Sequence, residues 1–400
     1  MLTSLALIFL IGLAMAAICQ KIRLPRIIGM LITGVIIGPY ALNLLDSSIL
    51  AISAQLRELA LIIILLKAGL SLNLNDLRKV GRPAILMAFL PAVFEIASFV
   101  VIAPMVLDNV TYLEAAIMGS VLGAVSPAVV VPKMVGLMEA GYGTDKGIPQ
   151  LILAGASLDD VFVIVLFTTF IGLAQGNSVS MFSFFEIPIS IVVGIGVGWL
   201  CGYCLTRFFE SRYNQKRYIR NSTKVIIVLG FSFLLVAIET WLKGIVPMSG
   251  LLAVMSMAIA IQTKSIKFVT KRLSEKFGKL WIAAEIILFV LVGAAVDISY
   301  TVNAGITVVI LILIALVFRV IGVYLCLIGT KFTRKEKMFR MISYLPKATV
   351  QAAIGSVPLA LGLECGQLVL TIAVVSIIVT APLGALGMDM SYRKLLNHTK

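Results

Sequence analysis

The chain has 400 residues, 60% of them hydrophobic and only 13% charged, with a mean hydropathy of +1.08. Soluble domains carry nearer a quarter charged residues, so the composition excludes a soluble globular protein and specifies a polytopic, all-α membrane protein. The net charge of +14 does not imply nucleic acid as a partner, because membrane proteins gather Lys and Arg in their cytoplasmic loops.

In chain order, the first apolar run, 2–19, is followed rather than preceded by its basic flank, Lys21, Arg23 and Arg26. That is the wrong order for a cleaved leader, so the run reads as a first membrane helix with its N-terminus outside. A bilayer core of ~30 Å takes about 20 apolar residues as a helix. Thirteen such runs follow one another, at 2–19, 27–45, 56–72, 83–107, 112–138, 148–174, 181–207, 223–241, 246–262, 279–300, 302–330, 340–361 and 367–388. With the N-terminus outside, the alternate loops and the short tail from Ser391 are cytoplasmic. Counted with a few flanking residues, these hold 27 of the 33 Lys and Arg, and the outer connections hold only Lys243. That asymmetry supports the count and the orientation together. The five cysteines, at 19, 201, 204, 326 and 365, lie in or beside apolar runs. His398 is the only histidine, so the C-x-x-C at 201–204 reads as packing rather than as a metal site.

Two runs are interrupted at mid-depth. The fifth contains GAVSPAVVVP (123–132), with Pro127 and Pro132, and the twelfth contains YLPKATVQAAIGSVP (344–358), with Pro346 and Gly355. The two runs should cross the membrane in opposite directions, one in each half of the chain. A matched pair of Gly/Pro-broken helices with opposed directions points to the inverted repeats of a secondary transporter. Such breaks are tolerated at that depth only against protein or a polar cavity, and their ends supply dipoles and bare carbonyls.

Charges inside apolar runs carry the chemistry. GASLDD (155–160) places Asp159 and Asp160 in the sixth run, about 18 Å from its cytoplasmic start. A carboxylate there costs roughly 2.5–3.5 kcal/mol on insertion scales. Adjacent helical residues point about 100° apart, so the two aspartates should divide the work: one is paired with a cation, and the other exchanges its proton. A hard cation such as Na⁺ or Li⁺ wants oxygen ligands, and Ser157, Ser126 and the carbonyls freed by Pro127 are the candidates beside Asp160. Competition of H⁺ and Na⁺ for one carboxylate suffices for coupled exchange. Arg319, mid-way along the eleventh run, keeps its proton in proteins and needs an anion, for which Asp159 and Glu95 are candidates. Lys347, at the break of the twelfth, either neutralises a helix end, contacts Glu95 or reaches out to the membrane surface. Arg57, Lys67 and Lys133 lie nearer helix ends and are expected to snorkel. Glu285 and Asp297 are assigned no chemistry.

GAVSPAVVVP, GASLDD and LPKATVQAAIGSVP, in that order and spacing, resemble the monovalent cation/proton antiporter superfamily, closest to its NHA-type sodium/proton antiporters. The resemblance covers essentially the whole membrane region. It implies an NhaA-type fold, with two crossing broken helices in a core domain and a panel domain that makes a homodimer. Carried over, panel helices occupy 1–78 and 223–300, core helices 79–178 and 301–390, a linking helix 179–222, and a short tail 391–400. The resemblance makes Asp160 the principal ion and proton ligand and Asp159 the partner of a basic residue on the eleventh helix. Some electrogenic relatives carry lysine there, whereas this chain has Arg319, which cannot release a proton.

The expected function is therefore secondary exchange of cytoplasmic Na⁺ or Li⁺ for external H⁺, without cofactor, in a bacterial inner or plasma membrane. K⁺/H⁺ exchange is the alternative within transport, and a carrier of another small solute on the same scaffold is a weaker one. A channel fits competing protonation sites and broken helices less well than alternating access does. An intramembrane aspartyl protease is excluded because its two aspartates must face each other from separate helices. No G-x-x-x-x-G-K-[ST] loop is present, which argues against ATP-driven transport.

Overall fold

A computed structural model describes residues 1–22, 24–71, 82–175, 181–215, 219–242, 246 and 248–398. All regular structure among the described residues is helical, apart from one isolated antiparallel bridge between Tyr142 and His398. Seven helical segments among them, one of them Arg82–Val106, are long and apolar enough to cross a membrane by length and composition. Other apolar runs are shorter or interrupted.

The chain divides into two compact units. The first comprises Met1–Arg57, Asp76–Ala174 and Ile286–Lys400. It opens with α1 (Leu2–Lys21), α2 (Arg26–Ile37) and α3 (Ser47–Ala51), and α1 packs on α2. α4 (Ser53–Ser71) begins in this unit and continues in the other. The run at 83–107, read as one span, is long and apolar enough to be one over Arg82–Val106, with its helix interrupted at 88–89 into α5 (Arg82–Met87) and α6 (Leu90–Val106). Pro91 sits in the first turn of α6, where its missing N–H costs nothing. α7 (Tyr112–Leu122) starts at a capping box: Glu114 N donates to Thr111 Oγ1 at 3.3 Å and Thr111 N to Glu114 Oε2 at 2.9 Å. α8 (Pro127–Glu139) and α9 (Ile148–Ala174) follow.

Helices from α10 (Met181–Asn214) through α11 (Asn221–Leu242) and α12 (Gly250–Lys264) to most of α13 (Lys267–Ala294) form the second unit, with the greater part of α4. The first unit then resumes with the end of α13 and with α14 (Ile298–Cys326), α15 (Arg334–Ser343), α16 (Thr349–Ile354), α17 (Val357–Ala360) and α18 (Gly366–Leu395). In this unit α6 lies against α7 and α14, α9 against α5, α7 and α8, and α18 against α7, α15 and α17.

The second unit is held by a small-residue stripe. Gly194, Gly198 and Gly202 recur every four residues along α10, and a Cβ on each would lie 2.6, 2.1 and 2.4 Å from the carbonyl oxygens of Ser249, Ala253 and Met257. Between two helices in lipid there is no hydrophobic drive, so close backbone approach is the source of attraction. Gly196, on another face of the same helix, has nothing within 4 Å of its Cβ position. Gly198→Ala is therefore expected to destabilise the protein by about 1–3 kcal/mol, read as a lower unfolding midpoint in detergent, while Gly196→Ala leaves it unchanged or raised. Equal effects at the two positions would refute the close-approach account.

Candidate functional site

The site grows from two helix breaks in the first unit. Between α7 and α8, Pro127 contributes no N–H and holds Ser126 extended (φ −83°, ψ 112°). The last carbonyls of α7 are thus without helical donors. The amide nitrogen Nε2 of Gln351 lies 3.2, 3.4 and 2.9 Å from the carbonyl oxygens of Val121, Leu122 and Ala124. Lys347 Nζ donates to the Leu122 carbonyl and Arg319 Nη1 to that of Gly123. Two cations and an amide therefore cap the negative end of α7.

The second break runs from Tyr344 to Ala348, between α15 and α16, around Pro346. It crosses the first directly. Ser126 N donates to Pro346 O at 2.8 Å, and Thr349 N approaches Ser126 Oγ at 3.5 Å. Ala348 N donates to Gln351 Oε1 at 2.7 Å, and Lys347 N to Thr380 Oγ1 of α18 at 2.9 Å. Gly384 of α18 leaves room for the Pro346 ring, which a Cβ would meet at 2.2 Å. The interruption at Gly355, by contrast, lies beyond this crossing, at the C-terminal end of α16.

Arg319 of α14 lies at the centre and is fully buried. Its Nη1 donates to Glu95 Oε2 of α6 and its Nη2 to Asp159 Oδ2 of α9, both at 2.7 Å. Its Nε donates to the Tyr344 carbonyl at 2.7 Å. Glu95 Oε2 also accepts from Lys347 Nζ at 2.6 Å, and Asp159 Oδ2 from Val125 N at 2.9 Å. Glu95, Asp159 and Lys347 are each fully buried. The four charges cancel: Arg319 and Lys347 against Glu95 and Asp159. Asp160 is the next carboxylate, only 6% exposed, and its Oδ1 has no hydrogen-bond partner among the described residues. The hydroxyl of Thr349, at the crossing, is likewise buried and unpartnered among them.

The structure brings together Asp159, Arg319, Glu95, Lys347, Ser126 and Pro346. Asp160 is adjacent on α9. Pro127 opens α8 and Pro132 falls within it; the side chains of Pro132 and Ser157 lie outside the described residues. The carbonyls of 121–124, just before Pro127, accept hydrogen bonds from Gln351, Lys347 and Arg319. Arg57, expected to snorkel, is 6% exposed and points its Nη1 to the Leu291 carbonyl at 3.4 Å. Lys67 rests over the Trp281 ring at 5.7 Å, and Lys133 pairs with Asp389. Sequence reasoning missed Gln351, Thr380 and the Tyr344 carbonyl. Gln351 left a signal, since an amide at the third position of a helix is half of a capping box.

Removing one member of a buried pair strands the other's charge, at a cost of about 3–5 kcal/mol. Arg319→Ala is expected to lower the unfolding midpoint correspondingly, and adding Asp159→Asn to recover part of the loss. A double variant no more stable than Arg319→Ala would show that the pair is not energetically coupled.

The transmembrane sodium/hydrogen exchanger family model matches residues 5–388. Sodium/hydrogen exchanger 9B2 of Mus musculus is 33% identical over 380 residues, covering 91% of this chain and 67% of the relative. Sodium/hydrogen exchanger 9B1 of Homo sapiens is 33% identical over 361 residues, 86% of this chain and 67% of the relative. The sodium proton antiporter MjNhaP1 from Methanocaldococcus jannaschii, solved at pH 8, shares the fold with a TM-score of 0.83 at 22% identity, over 98% of this chain and 97% of that one. The chain is a multi-pass membrane protein that belongs to the sodium/hydrogen exchanger family of monovalent cation/proton antiporters.

Proposed function

We propose that this antiporter exchanges Na⁺ or Li⁺ for H⁺ by alternating access, with the cation and the proton competing for Asp160. The observation that carries the reading is the charge balance of the buried cluster. Arg319 and Lys347 are matched by Glu95 and Asp159, which leaves Asp160 as the carboxylate without a countercharge and with an unpartnered oxygen. A monovalent cation or a proton neutralises it equally well, so the two are mutually exclusive occupants. Asp159 then serves as the fixed partner of Arg319. Ser126 and Ser157 are the hydroxyls assigned as further ligands, completing the oxygen shell that a hard cation requires. Arg319 holds its proton throughout, so it positions Asp159 and carries no proton itself.

In the same reading the thirteen apolar runs are thirteen spans, the N-terminus is outside and the C-terminus cytoplasmic. Helices at 1–78 and 223–300 make the panel of a homodimer and those at 79–178 and 301–390 the ion-carrying core, joined by the helix within 179–222. The lopsided distribution of Lys and Arg supports the orientation, and the two crossed breaks support the inverted repeat.

The test is Na⁺-driven proton flux in proteoliposomes. Asp160→Asn is expected to reduce flux to the level of protein-free vesicles while keeping the unfolding midpoint within a few degrees of the parent. Full flux in that variant would end the assignment. Flux with Na⁺, Li⁺ and K⁺ compared in the parent protein distinguishes sodium exchange from K⁺/H⁺ exchange.

A further inference from the structure

α15 and the segment that leads into it carry a charge pattern that the transport site does not use. Lys331, Arg334 and Lys335 are exposed, and Lys337 is half-buried with its Nζ 5.8 Å from the centre of the Tyr324 ring. The one acid among them, Glu336, is turned inward and 1% exposed. It caps its own helix, accepting from Thr333 N at 2.7 Å, and it pairs with Lys146 at 2.8 Å. The face of this segment that meets solvent is therefore purely cationic. One turn beyond Glu336, Arg340 is fully buried over the Phe332 ring at 3.2 Å, and none of its three nitrogens has an acceptor among the described residues. The α15 region thus holds more positive charge than the surrounding protein neutralises.

Directly beside this collar stands an apolar wall. Tyr324 and Leu325 at the end of α14 and Ile328 in the turn after it are 48%, 36% and 54% exposed, and Met338 on α15 is 52% exposed. The helix at whose end they lie is long and apolar enough over Gly305–Cys326 to cross a membrane, which in a bilayer would set the wall against acyl chains. Lys337, lying on Tyr324, joins wall to collar. We propose that wall and collar form a docking site for an anionic phospholipid, with its phosphate among Lys331, Arg334 and Lys335 and an acyl chain along α14. Basic residues at a membrane surface attract anionic lipid at about 1 kcal/mol each, and an adjoining apolar groove turns that diffuse attraction into a site. Because α15 leads straight into the break that carries Lys347, a lipid held here steadies the entry to the transport site. The inference requires only that α14 spans a bilayer and does not depend on the role given to Asp160.

A binding test independent of transport keeps the two separable. The purified full chain is unfolded thermally in detergent micelles with phosphatidylglycerol, phosphatidylcholine or inorganic phosphate added at equal concentration. A ligand that binds only the folded state raises the midpoint. Phosphatidylglycerol is expected to raise it by several degrees over phosphatidylcholine, and inorganic phosphate to leave it unmoved. Neutralising the collar (K331Q/R334Q/K335Q) should remove at least half of that difference, and K335Q alone a measurable part of it. The charge-conserving set K331R/R334K/K335R should retain it. An equal shift with phosphatidylcholine, a shift with phosphate alone, or an undiminished shift in both glutamine variants would overturn the proposal.

Discussion

A guanidinium that cannot lose its proton, placed where no water reaches it, dictates the arrangement around it. Moving an ion of this kind out of water costs several kcal/mol even after the protein relaxes, and Arg319 recovers that only by filling its donor positions. It does so with the carboxylates of Glu95 and Asp159 and the carbonyls of Gly123 and Tyr344. Those four acceptors come from α6, α9 and the two helix breaks. Bringing them to one point determines which helices of the first unit meet, and Lys347 joins because Glu95 can accept from both cations on one oxygen.

The breaks are consequently answers to each other. Each interruption frees backbone groups that hydrocarbon cannot satisfy. The carbonyls ending α7 are met by Gln351, Lys347 and Arg319, and the Pro346 carbonyl of the other break is met by Ser126 N. The carbonyls at the end of α7 already accept hydrogen bonds, whereas Asp160 Oδ1 and Thr349 Oγ1 are buried side-chain oxygens without a partner among the described residues.

Much of this was legible in the residues themselves. Apolar runs, Gly/Pro interruptions and carboxylates in apolar surroundings are local features, and their physical cost announces them. That Arg319 needs an anion followed from its chemistry alone, and both candidates, Asp159 and Glu95, turn out to hold it. What stayed hidden was how the partners are shared. Glu95 serving Arg319 and Lys347 at once, or Gln351 spanning three carbonyls some 230 residues away, depends on tertiary approach that no spacing encodes. The interruption at 88–89 inside the span at 83–107 was not legible for a different reason: the hydropathy is unbroken across it, and only Pro91 marks the restart.

The charge balance also bears on why exchange is coupled rather than leaky. With Glu95 and Asp159 matched by Arg319 and Lys347, the cluster is neutral before Asp160 is counted. In the proposed cycle a bound Na⁺ or a bound proton keeps the whole site neutral, while an empty Asp160 leaves one unpaired negative charge in a region of low dielectric. Carrying that charge across a closed intermediate, in which water is excluded on both sides, is far costlier than carrying either neutral form, because interactions with buried charges are poorly screened. In that proposed cycle the empty site is kept from crossing, and no second gate is required to forbid slippage. The proposed cycle rests on the matching of the other four charges, since a spare cation beside Asp160 would neutralise it and allow the unloaded protein to turn over.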